Sequence, residues 1–152
     1  MDESAMVPKE WPAHEYRCLI RERHLDTFGH VNNAQYLVLF EEARWEMITS
    51  RGYGMEQVHA RQIGTVVLEC KVRFMRELRL REEIAIHTRV REIRKKIITL
   101  EHEMRNEGGE VAALAEFTLG CFDLRERKLV SLDPIWLSAL SGRVPEVFDK
   151  KL

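Results

Sequence analysis

Within the run His24-Leu25-Asp26-Thr27-Phe28-Gly29-His30-Val31-Asn32-Asn33, one carboxylate and two imidazoles fall inside seven residues, directly ahead of a segment that begins like a helix. The first turn of a helix carries unpaired N–H groups and a partial positive charge, so it can hold the oxyanion that develops when an acyl carbonyl is attacked. Asp26, in the turn leading into that terminus, is placed to act as nucleophile or as the base that activates water, and the sequence leaves the two roles open. Each residue taken singly also has a plainer explanation. An Asp before a Gly-containing turn commonly bonds its own backbone, and Asn32 and Asn33 are ordinary capping residues. His24 and His30 have no third ligand nearby at a recognisable spacing, which argues against a metal site.

The elements that must position these groups can be read from periodicity. Asn32 is an N-cap, and Gln35 supplies the second half of a capping box. The spacing predicts a helix from there to about Ser50, stopped by Arg51-Gly52-Tyr53-Gly54, where a glycine can take the left-handed conformation. Ala34, Tyr36, Leu37, Val38, Leu39 and Phe40 make its first half apolar almost all round, so something must enclose it, and a curved sheet would do so. Ahead of the helix, Glu15 to Arg23 mostly alternates, as a short strand ending near His24 and followed by a turn around Thr27 to Gly29. Beyond it, Val66, Leu68, Cys70, Val72 and Phe74 alternate with Val67, Glu69, Lys71 and Arg73, which predicts one buried and one mostly wet face. The same period recurs from Ile84 to Val90, from Ile98 to Met104 and, after the turn signal Asn106-Glu107-Gly108-Gly109, from Val111 to Cys121. A last short helix follows Asp133-Pro134. The order of strand, long helix and four antiparallel strands is an α+β layout with the helix packed on a single sheet.

Length and composition narrow the class further. The chain has 152 residues, 45% of them hydrophobic, enough for one compact domain and too few for two. A net charge of −1 argues against a dedicated nucleic-acid or anionic-membrane surface. No apolar run approaches the roughly 20 residues of a membrane helix, and Met1 to Pro12 lacks the profile of a signal peptide, so a cytoplasmic protein is expected. Cys18, Cys70 and Cys121 are widely spaced in apolar surroundings and read as buried fillers. Residues 1–14 and 141–152 read as terminal tails around a single domain at 15–140.

His24-Leu25-Asp26 through Tyr36, extended by Leu37 and Phe40-Glu41-Glu42-Ala43-Arg44-Trp45, resembles the signature of hotdog-fold thioesterases of the 4-hydroxybenzoyl-CoA thioesterase branch. Within that branch it is similar to the bacterial long-chain acyl-CoA thioesterase type. The likeness runs from about Tyr16 to Leu132 and includes the order of the elements. It implies a hotdog fold, a long central helix wrapped by a curved antiparallel sheet. It also implies that Asp26 is the catalytic carboxylate, at the second acidic position of an Asp-x-Asp-x-x-Gly pattern whose glycine is Gly29 and whose first position is His24 here. Asn33 falls where the family offers a backbone N–H to the thioester oxygen. His30 matches the histidine of a His-x-Asn-Asn run that is catalytic in plant acyl-ACP thioesterases, although Phe28 stands here in place of their Asn.

The resemblance extends to substrate and assembly. Arg94-Lys95-Lys96, by composition a solvated basic turn, is similar to the cluster with which the family holds the CoA phosphates. Tyr36, Leu37 and Phe40 with Val66, Val67 and Leu68 are the apolar residues that would line an acyl tunnel. The implied activity is hydrolysis of medium- to long-chain fatty acyl-CoA without a cofactor. The implied assembly is a homodimer or a tetramer built as a dimer of dimers, joined edge to edge so that an otherwise exposed strand is covered. An acyl-ACP thioesterase and a non-catalytic acyl-CoA binding module are the alternatives, with a hydratase disfavoured because no strand-and-loop Asp and His pair is evident.

Overall fold

The computed structural model describes residues 11–143, so the terminal readings at 1–10 and 144–152 lie outside the described residues. The chain forms β1 (His14–Leu19), α1 (Asn33–Ser50), α2 (Met55–Arg61), β2 (Ile63–Phe74), β3 (Glu83–Ile93), β4 (Ile97–Arg105), β5 (Val111–Asp123), β6 (Lys128–Leu129) and α3 (Pro134–Ser141). One antiparallel sheet runs in the order β1-β3-β4-β5-β2, with β6 added to β5. The expected α+β hotdog architecture is therefore present, with α1 laid on the curled sheet. The core joins Leu39, Phe40, Ala43 and Met47 of α1 to Ile84 and Ile86 of β3, Ile98 and Leu100 of β4, and Phe117 and Leu119 of β5. Trp136 of α3 closes one end, fully buried, its Nε1 donating to Thr65 Oγ1 at 2.8 Å.

Several local expectations are corrected. β1 ends at Leu19, not near His24, because Glu22–His24 wind into a single 3-10 turn. The seven residues of α2, about two turns, are too few to establish an apolar period, and no helix signal marks them in the sequence. The Asn32 side chain does cap α1, accepting from Ala34 N at 2.9 Å, but the reciprocal Gln35 bond of a capping box does not form. Ser141, assigned to a tail, is the last residue of α3 and is buried.

The larger corrections concern how much the sheet covers. The enclosure expected around α1 is one-sided: Tyr36, Leu39, Phe40, Ala43 and Met47 are buried, whereas Leu37, Val38 and Trp45 are exposed. β2 is the sheet's outermost strand on that side, hydrogen-bonded only to β5. Its alternation breaks at a bulge between Val67 and Glu69, and one inserted residue moves every later side chain to the other face. Val67 therefore shares the helix-facing side with Cys70, Val72 and Phe74, while Val66 turns outward. Of the cysteines, only Cys121 is buried; Cys18 is half-buried and Cys70 is exposed, as befits an edge strand with no neighbour. Val67, Leu68, Phe74 and Met75 are all about half exposed, an apolar margin that a single chain leaves uncovered.

Candidate active site

The turn before α1 is built on Asp26. Its Oδ1 accepts from Phe28 N at 2.8 Å and, more weakly, from His30 N at 3.4 Å, and Gly29 N closes the turn onto Asp26 O. Gly29 has a φ of +81°, which a residue with a Cβ adopts only under strain. The plainer reading of Asp26 as a turn residue is thus correct for one carboxylate oxygen. The other, Oδ2, makes no hydrogen bond within the described residues.

Asp26 lies on the wall of an open cleft of about 870 Å³, together with His30, Asn33, Tyr36, Phe74 and Glu77. Asn33 is the first residue of α1, ahead of the first intrahelical bond, and its N–H has no acceptor among the described residues. A free carboxylate oxygen and the open positive end of an 18-residue helix thus border one space. Tyr36 is buried, its hydroxyl donating to Arg76 O at 3.2 Å and its ring set edge-on to Phe74 at 5.1 Å.

His30 Nε2 sits 3.1 Å from Glu77 Oε2, and an isolated bridge to Arg79 fixes its backbone. Glu77 has no signature in the sequence: it stands in an unpatterned loop after β2, and only the fold brings it to His30. Phe74 was legible as a strand residue but not as a wall of the cleft. His24 is turned away, buried, with Nδ1 accepting from Arg21 N at 2.9 Å. Burial and the nearby Arg23 lower its pKa, so it is a neutral structural residue.

The remaining sequence-picked residues are elsewhere. Val66 faces outward, over Gly120, where a Cβ would come within 2.3 Å of Leu129 Cδ2 and 3.1 Å of Val66 Cγ1; it does not border the cleft. Arg94, Lys95 and Lys96 form the exposed turn between β3 and β4. Arg94 pairs with Glu92 at 2.9 Å, and the carbonyls of Lys95 and Lys96 accept from Leu132 N and Cys121 N. Cys121 pairs with Thr65 near the start of β2, while the cleft borders its end at Phe74. The basic turn and Asp26 therefore occupy opposite ends of the sheet within one chain.

Fold and sequence define the class at this point: residues 20–147 match the thioesterase-like superfamily, and the chain belongs to it, a hotdog-fold thioester hydrolase. It is 32% identical over 120 residues to the long-chain acyl-CoA thioesterase FadM of Escherichia coli (strain K12), covering 75% of this chain and 86% of that protein. Among solved structures, the probable thioesterase YbaW from Escherichia coli is 28% identical with a TM-score of 0.74, covering 84% of this chain and 98% of that one. The DHNA-CoA thioesterase of Staphylococcus aureus, 23% identical, shares the fold with a TM-score of 0.77 over 86% of this chain and 89% of its own. Among the described residues no helix is long and apolar enough to cross a membrane.

Proposed function

We propose that the chain hydrolyses medium- to long-chain fatty acyl-CoA to free fatty acid and CoA, with Asp26 acting on a carbonyl held at the start of α1. The observation that carries this reading is one cleft bordered by both Asp26 and Asn33, whose Oδ2 and backbone N–H have no partner among the described residues. The Asn33 N–H donates to the thioester oxygen. Asp26 takes a proton from water as the water oxygen bonds the carbonyl carbon. The tetrahedral intermediate then collapses with cleavage of the C–S bond, and the thiolate leaves with that proton. Direct attack by Asp26, forming an anhydride that water opens, uses the same groups. Sulfur lends a thioester carbonyl little resonance and leaves readily, so a carboxylate and one oxyanion donor suffice. His30, held by Glu77, adds a second proton-transfer group.

The separation of Arg94, Lys95 and Lys96 from Asp26 is accounted for by a homodimer. If the open edge of β2 pairs antiparallel with β2 of a second copy, each Phe74 end lies beside the other copy's Thr65 end. The partner's basic turn is then carried toward this chain's cleft, where it can meet CoA phosphates. The same pairing covers Val67 and Leu68. Tyr36 and Phe74 form the apolar entry for the acyl group, and Val66, facing outward, is assigned to the interface rather than to substrate.

Release of free thiol from a series of acyl-CoAs and from the matching acyl-ACPs tests this assignment. Turnover of long-chain acyl-CoA is expected, with Lys95→Ala and Lys96→Ala together raising KM by about a hundredfold at low salt and less at high salt. Tight binding without thiol release would instead identify a binding module, and preference for acyl-ACP would shift the carrier.

A further inference from the structure

Away from the Asp26 cleft, α1 carries a buried cation that makes no ion pair with a carboxylate of the described chain. Arg44 is only 9% exposed and its Nη1 is buried without a partner. The guanidinium carbon lies 4.1 Å over the Phe117 ring centroid, a cation–π contact that gives Nη1 no hydrogen-bond acceptor. Burial pushes its pKa down to about 10, so it stays charged at neutral pH. Beside it, His102 is fully buried; its Nδ1 is 2.8 Å from Thr88 Oγ1, and its Nε2 has no partner. Arg44 also lowers the His102 pKa, after burial itself, so the histidine is neutral and the charge belongs to Arg44 alone. An unpaired cation at such depth is costly, which makes it a poor choice for packing alone.

Arg44 forms one wall of a cavity of about 200 Å³ shared with Glu41, Trp45, Thr65, Val67 and Leu119. Glu41 is the other charged group on this wall; it is exposed and attracts Arg44 through space, without a hydrogen bond to it. The cavity and the Asp26 cleft share no lining residue, and the fully buried Phe40 stands between them, but one seam of side chains runs from the one to the other. Tyr36, Phe40 and Arg44 succeed one another every fourth residue along α1, and Phe74, Val72, Cys70 and Val67 run back along the helix-facing side of β2. On the β2 side α1 meets the strand where the Tyr36 and Phe74 rings pack edge-on, and farther along Val67 is left about half exposed. Arg44 lies eleven residues beyond Asn33, about 16 Å along the helix, the reach of a long acyl chain.

From this arrangement we infer that the seam takes the acyl chain and that the Arg44 cavity binds a carboxylate at the chain's far end, so that CoA thioesters of long-chain dicarboxylic acids are preferred substrates. The inference rests on the acyl-CoA hydrolysis proposed above. A methyl-ended chain reaching this cavity seals an unpaired cation among apolar groups. A carboxylate supplies the acceptors that the Nη1 edge lacks, in a charge-assisted pair.

Thiol release decides between these outcomes, measured with the mono-CoA ester of hexadecanedioic acid, with palmitoyl-CoA and with butyryl-CoA. The wild type is expected to favour the dicarboxylate over palmitoyl-CoA by about tenfold or more in kcat/KM, the effect of one charge-assisted hydrogen bond. Arg44→Met is expected to abolish or reverse that preference while leaving butyryl-CoA turnover, which the cavity does not contact, unchanged. In parallel, free hexadecanedioate is expected to raise the Tm of the wild type but not of Arg44→Met. Equal turnover of the two long substrates by the wild type, with butyryl-CoA still cleaved, overturns the Arg44 subsite and leaves the thioesterase reading intact. If Arg44→Met instead alters only the elution volume, the cation serves the dimer contact and the subsite is likewise overturned. Failure of all three esters to react removes the underlying activity itself.

Discussion

Replacing Asp26 by Asn is expected to lower kcat for palmitoyl-CoA by about a thousandfold while changing KM little, within the range of a lost general base. Asn is the informative substitution because its side-chain oxygen still accepts from the N–H groups of Phe28 and His30, so the turn that Gly29 closes is preserved. What disappears is the negative charge on Oδ2, the atom with no partner in the folded chain. Asp26→Ala removes the turn's acceptor as well, and is expected to add a rise in KM because the entry to α1 loses its shape. Steady-state thiol release with both variants separates the two effects. Unchanged kcat in Asp26→Asn would place the chemistry on another group, with the His30 and Glu77 pair first in line.

The second large effect is expected at the sheet margin. Val67→Lys sets a charge on the helix-facing side of β2, an arrangement that opposes edge-to-edge pairing between chains. The variant is expected to elute as a monomer in size-exclusion chromatography. If the partner's Lys95 and Lys96 contact the CoA phosphates, kcat/KM for butyryl-CoA, whose acyl chain stops short of Val67, should fall by about a hundredfold, the effect of losing two charge-assisted hydrogen bonds of about 1.5 kcal/mol each. Val67 does not line the Asp26 cleft, so a short substrate lacking the nucleotide, such as an acyl N-acetylcysteamine thioester, should be affected far less. A monomer that retains full acyl-CoA turnover would contradict the cross-subunit role of the basic turn.

What was legible in the sequence and what was not divide along physical lines. Signals carried by neighbouring residues were readable: Asn32 as a cap, Gly52 as a stop, Asn106 to Gly109 as a turn, and the two-residue period of β3, β4 and β5. The motif from His24 to Trp45 added the family and the position of Asp26. Features that depend on one extra residue or on distant partners were not readable. The bulge after Val67 leaves no mark in an alternating apolar run, yet it decides that Val67 and not Val66 faces α1. Glu77 reaches His30 across an unpatterned loop. Arg44 sits inside the recognised motif, but a helical arginine is ordinarily solvated, and only packing against Phe117 shows that this one is buried. The apolar girth of α1 and the exposed face of β2 point the same way. Both exceed what one chain covers, and pattern alone suggested an enclosure that a single subunit provides on one side only.

The role given to the start of α1 meets its most direct test in a crystal structure with a ketone analogue of palmitoyl-CoA, in which a methylene replaces the sulfur and cleavage is blocked. The carbonyl oxygen is expected about 3 Å from the Asn33 nitrogen, with Asp26 Oδ2 facing the carbonyl carbon directly or through one water. An analogue whose carbonyl lies outside the cleft bordered by Asp26, Asn33 and Tyr36 would contradict the account.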